Sequence, residues 1–214
     1  MGNNQPSARK KTYYISLAIL AGMFFIFGFV SWVNSILIPY FRISCELTHF
    51  ESYFVAFAFY IAYFVMAIPS GILLKKVGFK KGIMYGFMLT ALGAFIFVPA
   101  ALARQFEIFL IGLFSIGTGL AILQTAANPY VTVLGAPETA PRRLNLAQSF
   151  NGLGAFIAAM FLSKLILSGT HYTRETLPVD YPGGWQAYIQ LETDAMKLPY
   201  LILALLLLAI AVVF

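Results

Sequence analysis

Six long runs of apolar residues, at 13–41, 50–74, 82–103, 106–134, 144–167 and 198–214, leave little of this chain for anything that could fold in water. Their lengths are 29, 25, 22, 29, 24 and 17 residues. A helix crosses the hydrocarbon of a bilayer in roughly 20 residues, so the first five suffice, with surplus for tilt, and the sixth is short. In lipid each backbone amide must be satisfied inside its own segment, which makes such runs helices. Charged residues are 10% of the chain, against roughly 25% in a soluble domain, so soluble enzymes and nucleic-acid-binding modules are excluded first. Cys45, His49 and His171 exhaust the cysteines and histidines, too few for a disulfide framework or a zinc cluster. No metal or cofactor site is expected. The predicted fold is an all-α integral membrane bundle: a tail at 1–12, five helices within 13–167, an external loop at 168–197 and a sixth helix at 198–214. That helix meets Phe214 without a polar cap, so the chain is read as a fragment of a longer protein.

The basic residues alternate by side. The tail before Tyr13 carries Arg9, Lys10 and Lys11, the link at 75–81 carries four lysines, and Arg142 and Arg143 precede the fifth run. The opposite links hold Arg42, Arg104, Lys164, Arg174 and Lys197, offset by most of the acidic residues. The positive-inside rule then places the amino terminus in the cytoplasm. The net charge of +6 is therefore read as topology and not as a nucleic-acid footprint. The first run is about twice the length of a signal-peptide core and lacks a small-residue cleavage site, so it is expected to stay as a helix. Pro178, Pro182, Gly183 and Gly184 predict an irregular loop before the sixth run, with Trp185 and Tyr188 at the interface. Gly82 with Gly86, Gly117 with Gly119 and Ala121, and Gly154 with Ala158 are spaced for close helix packing.

Polarity at membrane depth carries the functional information, because an amide in hydrocarbon needs partners or a wet cavity. The first run holds Ser31, Asn34 and Ser35; the fourth holds Gln124, Thr125 and Asn128; the fifth holds Asn145, Gln148, Ser149 and Asn151. Gln124 and Asn128 share a helix face, and Asn145, Gln148 and Asn151 form a drifting stripe. The alternatives for each amide are an interhelical hydrogen bond or a cavity wall; as a cluster they favour a wall. A short echo supports this: Asn34-Ser35 and Gln124-Thr125 both precede a Pro-Tyr pair, Pro39-Tyr40 and Pro129-Tyr130, at equal offset. The first and fourth helices would correspond if the six form two inverted groups of three, as in many transporters. Pro129 is expected to kink its helix and free the carbonyl of Thr125. Amides and a freed carbonyl suit a neutral, hydroxyl-rich solute. All eight acidic residues lie in links or at the edges of runs, so this segment offers no buried carboxylate for a proton relay and no constellation for an enzyme.

The stretch from Gln124 through Pro129-Tyr130-Val131-Thr132 to Gly135, followed by Arg143-Leu144-Asn145-Leu146-Ala147-Gln148-Ser149-Phe150-Asn151-Gly152, resembles the fucose permease branch of the major facilitator superfamily, which includes fucose, glucose and galactose permeases. Asn34-Ser35-Ile36-Leu37-Ile38-Pro39-Tyr40, Ala58-Phe59-Tyr60 and Ile68-Pro69-Ser70-Gly71 leading into Lys75 to Gly82 are similar too. The resemblance runs from about Phe24 to Ala158. It implies twelve helices in two six-helix bundles, each a 3+3 inverted repeat, with sugar bound between them and this chain as the amino-terminal bundle. Its members carry an Asp at the position of Ser35, a Glu at that of Gln124 and an Asn at that of Trp32, while the amides at Gln148 and Asn151 are kept. The acids tied there to proton coupling are neutral here.

Residues and resemblance together predict a multi-pass secondary transporter in the bacterial inner membrane, taking up a neutral hexose by alternating access. Gln124, Asn128, Gln148 and Asn151 are the expected substrate-binding side chains, with Asn34 and Ser35 next and Trp32 as a stacking surface under a sugar ring. The expected partners are the sugar, a coupling proton or sodium ion, the bilayer and the carboxy-terminal half. The alternatives are a facilitative carrier, a permease for an amino sugar or nucleoside, and a sugar sensor on the same scaffold.

Overall fold

A computed structural model of the chain describes residues 5–166, 172 and 174–213, with side chains described outside 5–10, 36–44, 49, 161–166, 195–196 and 213. The side chains of Pro39 and Tyr40 in the echo, with His171 and Phe214, therefore lie outside the described residues. Among the described residues five helices follow one another, α1 Gln5–Ser44, α2 His49–Ala103, α3 Phe106–Val133, α4 Ala140–Ile166 and α5 Gly184–Val213, with a 3-10 turn at Pro137–Thr139. The helix α1 takes in most of the tail expected at 1–12.

The second and third apolar runs are joined in α2, whose 55 residues leave helical geometry only at Gly78 (φ 80, ψ 165). The four lysines expected in a link lie on the two helical turns flanking that bend. Only a residue without Cβ takes this backbone at no steric cost, so a one-residue hinge replaces a loop. The start of α2 is fixed by a capping box: Thr48 Oγ1 accepts from the Glu51 amide at 3.2 Å, and Glu51 Oε2 accepts from the Thr48 amide at 2.8 Å. At its other end Arg104 adopts the left-handed conformation (φ 50) and closes the helix onto the carbonyl of Ala100.

Stretches of α1, α2, α3 and α5 are long and apolar enough to cross a membrane, and the stretch in α2 spans 54 residues, two crossings' worth. The least apolar helix is α4, which carries the amide stripe. The helix α1 packs on α4, and α2 packs on α3 and α5. Phe24, Phe27, Phe87, Phe97, Phe109 and Tyr200 are fully buried between them. Phe97 and Tyr200 stack with centroids 3.8 Å apart, and Phe109 meets Phe97 edge-on at 5.5 Å.

The loop expected at 168–197 is shorter than its polarity indicates. Helix α5 begins at Gly184, fourteen residues before the last apolar run. Gly183 (φ 77) and Gly184 (φ 64) make the entry turn. Residues 185–197 are then an amphipathic helix, with Tyr188, Ile189, Glu192 and Thr193 buried and Gln190, Asp194 and Lys197 paired along the other side. Mean apolarity misses such a segment because half its residues are polar by design of its helical period. Trp185, expected at the interface, donates from Nε1 to Glu46 Oε1 at 2.7 Å.

Candidate functional site

Two backbone approaches hold the polar helices in place. A Cβ on Gly28 of α1 would stand 1.9 Å from the Asn151 carbonyl oxygen of α4, and one on Gly154 would stand 2.0 Å from the carbonyl oxygen of Phe25. The helices thus touch main chain to main chain, at a distance only glycine permits. On the other side of the bundle, Gly117 of α3 meets the Phe59 carbonyl of α2 in the same way, at 2.5 Å from an added Cβ. Gly154 and Gly117 are members of the small-residue pairs singled out in the sequence; Gly28 is not.

The level of each amide follows from how the helix ends are joined. Arg143, 3% exposed, donates from Nε to the Val131 carbonyl at 3.0 Å, from Nη2 to that of Thr132 at 2.7 Å and from Nη1 to that of Ala136 at 3.0 Å, and also reaches Thr139 Oγ1. The carbonyls of Val131 and Thr132 belong to the last turn of α3, which leaves them without intrahelical amide donors, and that of Ala136 lies in the link beyond it. The arginine therefore sets the start of α4 beside the end of α3. At 1.5 Å per residue, Gln124 lies about 13 Å from Val133, while Gln148 and Asn151 lie about 8 and 12 Å beyond Arg143. All three therefore lie well in from the joined helix ends.

Gln148 is exposed, Asn151 and Gln124 are half-buried, and Gln124 Nε2 reaches the Tyr63 hydroxyl at a marginal 3.5 Å. Asn128 lies one turn further along α3, and its Oδ1 is buried without a hydrogen-bond partner. A buried amide oxygen left this way costs about 1–3 kcal/mol until a donor reaches it. Thr125, by contrast, is satisfied internally, donating to the Ala121 carbonyl at 2.7 Å. The kink expected at Pro129 does not interrupt α3, which continues to Val133.

Asn34 stands apart from this group. It is 4% exposed, accepts from the Tyr200 hydroxyl at 2.9 Å and donates to the Val30 carbonyl at 3.1 Å. Both ends of its amide are occupied between α1 and α5, so it braces the bundle. The recess it lines with Ser35, Val55, Tyr60 and Leu113 holds about 10 Å³, the least that admits one water and far too little for a sugar. Ser35 and Trp32 are exposed three residues apart on one face of α1, with the Ser35 hydroxyl on the Ser31 carbonyl at 3.3 Å. Arg143 and Tyr200 escape a reading by polarity at depth: Arg143 counts there as one more topology charge, and Tyr200 as one more aromatic in an apolar run.

Long apolar helices locked by glycine contacts, with amides set in from the joined helix ends, define an integral membrane bundle. Residues 20–214 match the Major Facilitator Superfamily, and the chain belongs to that family. It is 39% identical over 208 residues to a glucose/galactose transporter of Brucella abortus biovar 1 (strain 9-941), covering 97% of this chain and 47% of that protein. It is 41% identical over 209 residues to an L-fucose-proton symporter of Escherichia coli (strain K12), covering 97% and 48%. The crystal structure of a Major Facilitator Superfamily transporter, FucP, in the outward conformation matches with a TM-score of 0.82 at 42% identity, over 94% of this chain and 49% of that one. The expected all-α fold and the resemblance to the fucose, glucose and galactose permeases are thereby shown. The chain spans about half the length of the relatives it matches, and those relatives are transporters, not enzymes.

Proposed function

We propose that this chain is half of a secondary transporter that takes up a neutral hexose, with Gln124, Asn128, Gln148 and Asn151 as hydrogen-bonding walls of the sugar cavity. The observation that carries this reading is the contrast among the amides. Asn34 has both ends satisfied, whereas Asn128 keeps a buried oxygen without a donor and Gln148 keeps its head group in the open. Hydroxyl groups are the ligand chemistry that can donate to such an oxygen and accept from such an amide in the same pose. The names of the relatives, glucose/galactose transporter and L-fucose-proton symporter, support a hexose over other polyols. Trp32 and Ser35 extend the wall on α1, the tryptophan as an apolar platform for a sugar ring. Asn34 contributes by bracing α1 against α5.

Alternating access supplies the mechanism. The bundle moves as a body against its counterpart and exposes the site first to one side of the membrane and then to the other. The amino terminus lies in the cytoplasm, on the distribution of Lys and Arg. Ser35 and Gln124 do not titrate and the acidic residues here lie in links or at the edges of runs, so a carboxylate at membrane depth for proton coupling would come from the other half. A full-length protein in vesicles tests the site: Gln148→Ala and Asn151→Ala lower sugar uptake well below that of Asn145→Ala, and equal activity of the three removes the wall assignment. Sugar-induced alkalinisation of the medium by intact cells tests the coupling, and uptake without it removes proton symport.

A further inference from the structure

On the flank away from the amides, α2 and α5 leave a groove of about 530 Å³ that is apolar along its whole length. Ala91 and Ile122 form its buried floor, and Tyr85, Met88, Leu92 and Leu208 rise as exposed rims. Neither α1 nor α4 contributes to it. Along α2 it runs from Tyr85 to Phe95, about 15 Å at the helical rise, which is one leaflet of a hydrocarbon core about 30 Å thick.

One end of the groove carries charge. Leu73 lines it two residues before Lys75, and Tyr85 lines it four residues after Lys81. Lys75, Lys76, Lys80 and Lys81 flank the bend at Gly78 and are all exposed. No carboxylate lies anywhere in the sequence between Glu51 and Glu107, so nothing on α2 beyond its first turn neutralises them. An apolar trough one leaflet long, ending beside four exposed ammonium groups, matches the shape and charge of one amphiphile.

We propose that this groove is a binding site for an anionic phospholipid, with an acyl chain along residues 85–95 and the phosphate among Lys75, Lys76, Lys80 and Lys81. The apolar part accepts any acyl chain; the lysines select the headgroup by charge. The bound lipid would fasten both arms of α2 at their hinge, independently of which solute the protein carries.

The test is fluorescence quenching in vesicles of phosphatidylcholine and phosphatidylglycerol at 4:1, using the full-length protein with Leu92→Trp as reporter and subtracting the signal of the parent. Brominated phosphatidylglycerol should quench the reporter with an apparent affinity about threefold or more above brominated phosphatidylcholine, falling as salt rises from about 0.1 to 0.5 M. With Lys80→Gln and Lys81→Gln the preference should drop, and with Lys75→Gln and Lys76→Gln added it should vanish. A Leu205→Trp reporter, exposed on α5 outside the groove, should show no preference. Equal quenching by the two lipids at Leu92→Trp, a preference that survives removal of the lysines, or an equal preference at Leu205→Trp overturns the proposal. The paired-lysine variant keeps the test decisive should the fourfold variant fail to insert.

Discussion

Replacing Gly28 by alanine adds one methyl group at the tightest point between α1 and α4. That methyl would stand 1.9 Å from the Asn151 carbonyl oxygen, where ordinary contact begins at 3.4 Å. The obstacle is main chain on both sides, with no flexible side-chain end to yield, so the helices must separate by about 1.5 Å at the crossing or tilt about it. Overpacking of this kind costs about 1–3 kcal/mol. The displaced element carries Asn151, and Gln148 lies one turn away from it on the same helix, so the walls of the proposed cavity move with it. A shift of about 1 Å in a binding constellation is enough to lower turnover by roughly a hundredfold. The expectation is therefore a melting temperature lowered by several degrees in detergent, together with severe loss of sugar uptake in vesicles. Gly154→Ala, 2.0 Å from the Phe25 carbonyl oxygen, should behave alike, and the pair should be far from additive because both strain one crossing. Gly22→Ala and Gly152→Ala, whose Cβ would meet nothing within 4 Å, are the controls. Wild-type melting and uptake in Gly28→Ala would refute the claim that a backbone contact positions α4.

Arg143→Lys replaces a planar fork by a single ammonium and cannot reach the Val131, Thr132 and Ala136 carbonyls together. It should cost about 2 kcal/mol or more in thermal unfolding, while Arg142→Lys at the exposed neighbour stays within about 0.5 kcal/mol; equal effects would deny Arg143 its capping role. Tyr200→Phe keeps the ring on Phe97 but strips the donor from Asn34 Oδ1, which should lower stability by about 1 kcal/mol and leave sugar selectivity unchanged; a change in selectivity would return Asn34 to the cavity wall. Burial, and next the charge of Glu107, push the Cys45 thiol up to about 11, with Arg104 only partly offsetting them. Maleimide labelling of Cys45 should accordingly rise roughly tenfold per pH unit between about pH 7 and 10, and a plateau near pH 8.5 would contradict that environment.

Apolar runs find the long helices well, because in lipid the length of an uninterrupted hydrophobic segment is itself the constraint. What they misplace is where polarity and helix coexist. Residues 184–197 alternate polar and apolar at the helical period, and their stability comes from contacts distant in sequence, such as Arg104 donating to Gln186 at 3.0 Å and to Gln190 at 2.6 Å. The link at 75–81 looks like a loop by its charges, yet lysines on a helix surface cost little and Gly78 alone supplies the turn. At the site, residue type narrows the solute to something neutral and hydroxyl-rich, and the resemblance to sugar permeases adds the hexose. Composition could not tell a brace from a wall: Asn34 and Asn128 are the same amide inside an apolar run, one pinned by Tyr200 and the other with an open oxygen.

Whether that difference marks a water-filled chamber is directly measurable. In a Cys45→Ser background, single cysteines at Gln148, Asn151 and, on α5, Leu205 can be challenged in sealed vesicles with a membrane-impermeant thiol reagent, with and without a transported hexose. Labelling at Gln148→Cys and Asn151→Cys that the sugar suppresses, with none at Leu205→Cys, is the predicted result. Positions 148 and 151 as unreactive as Leu205→Cys, or reactive but indifferent to sugar, would mean that the amides of α4 do not border the transport path.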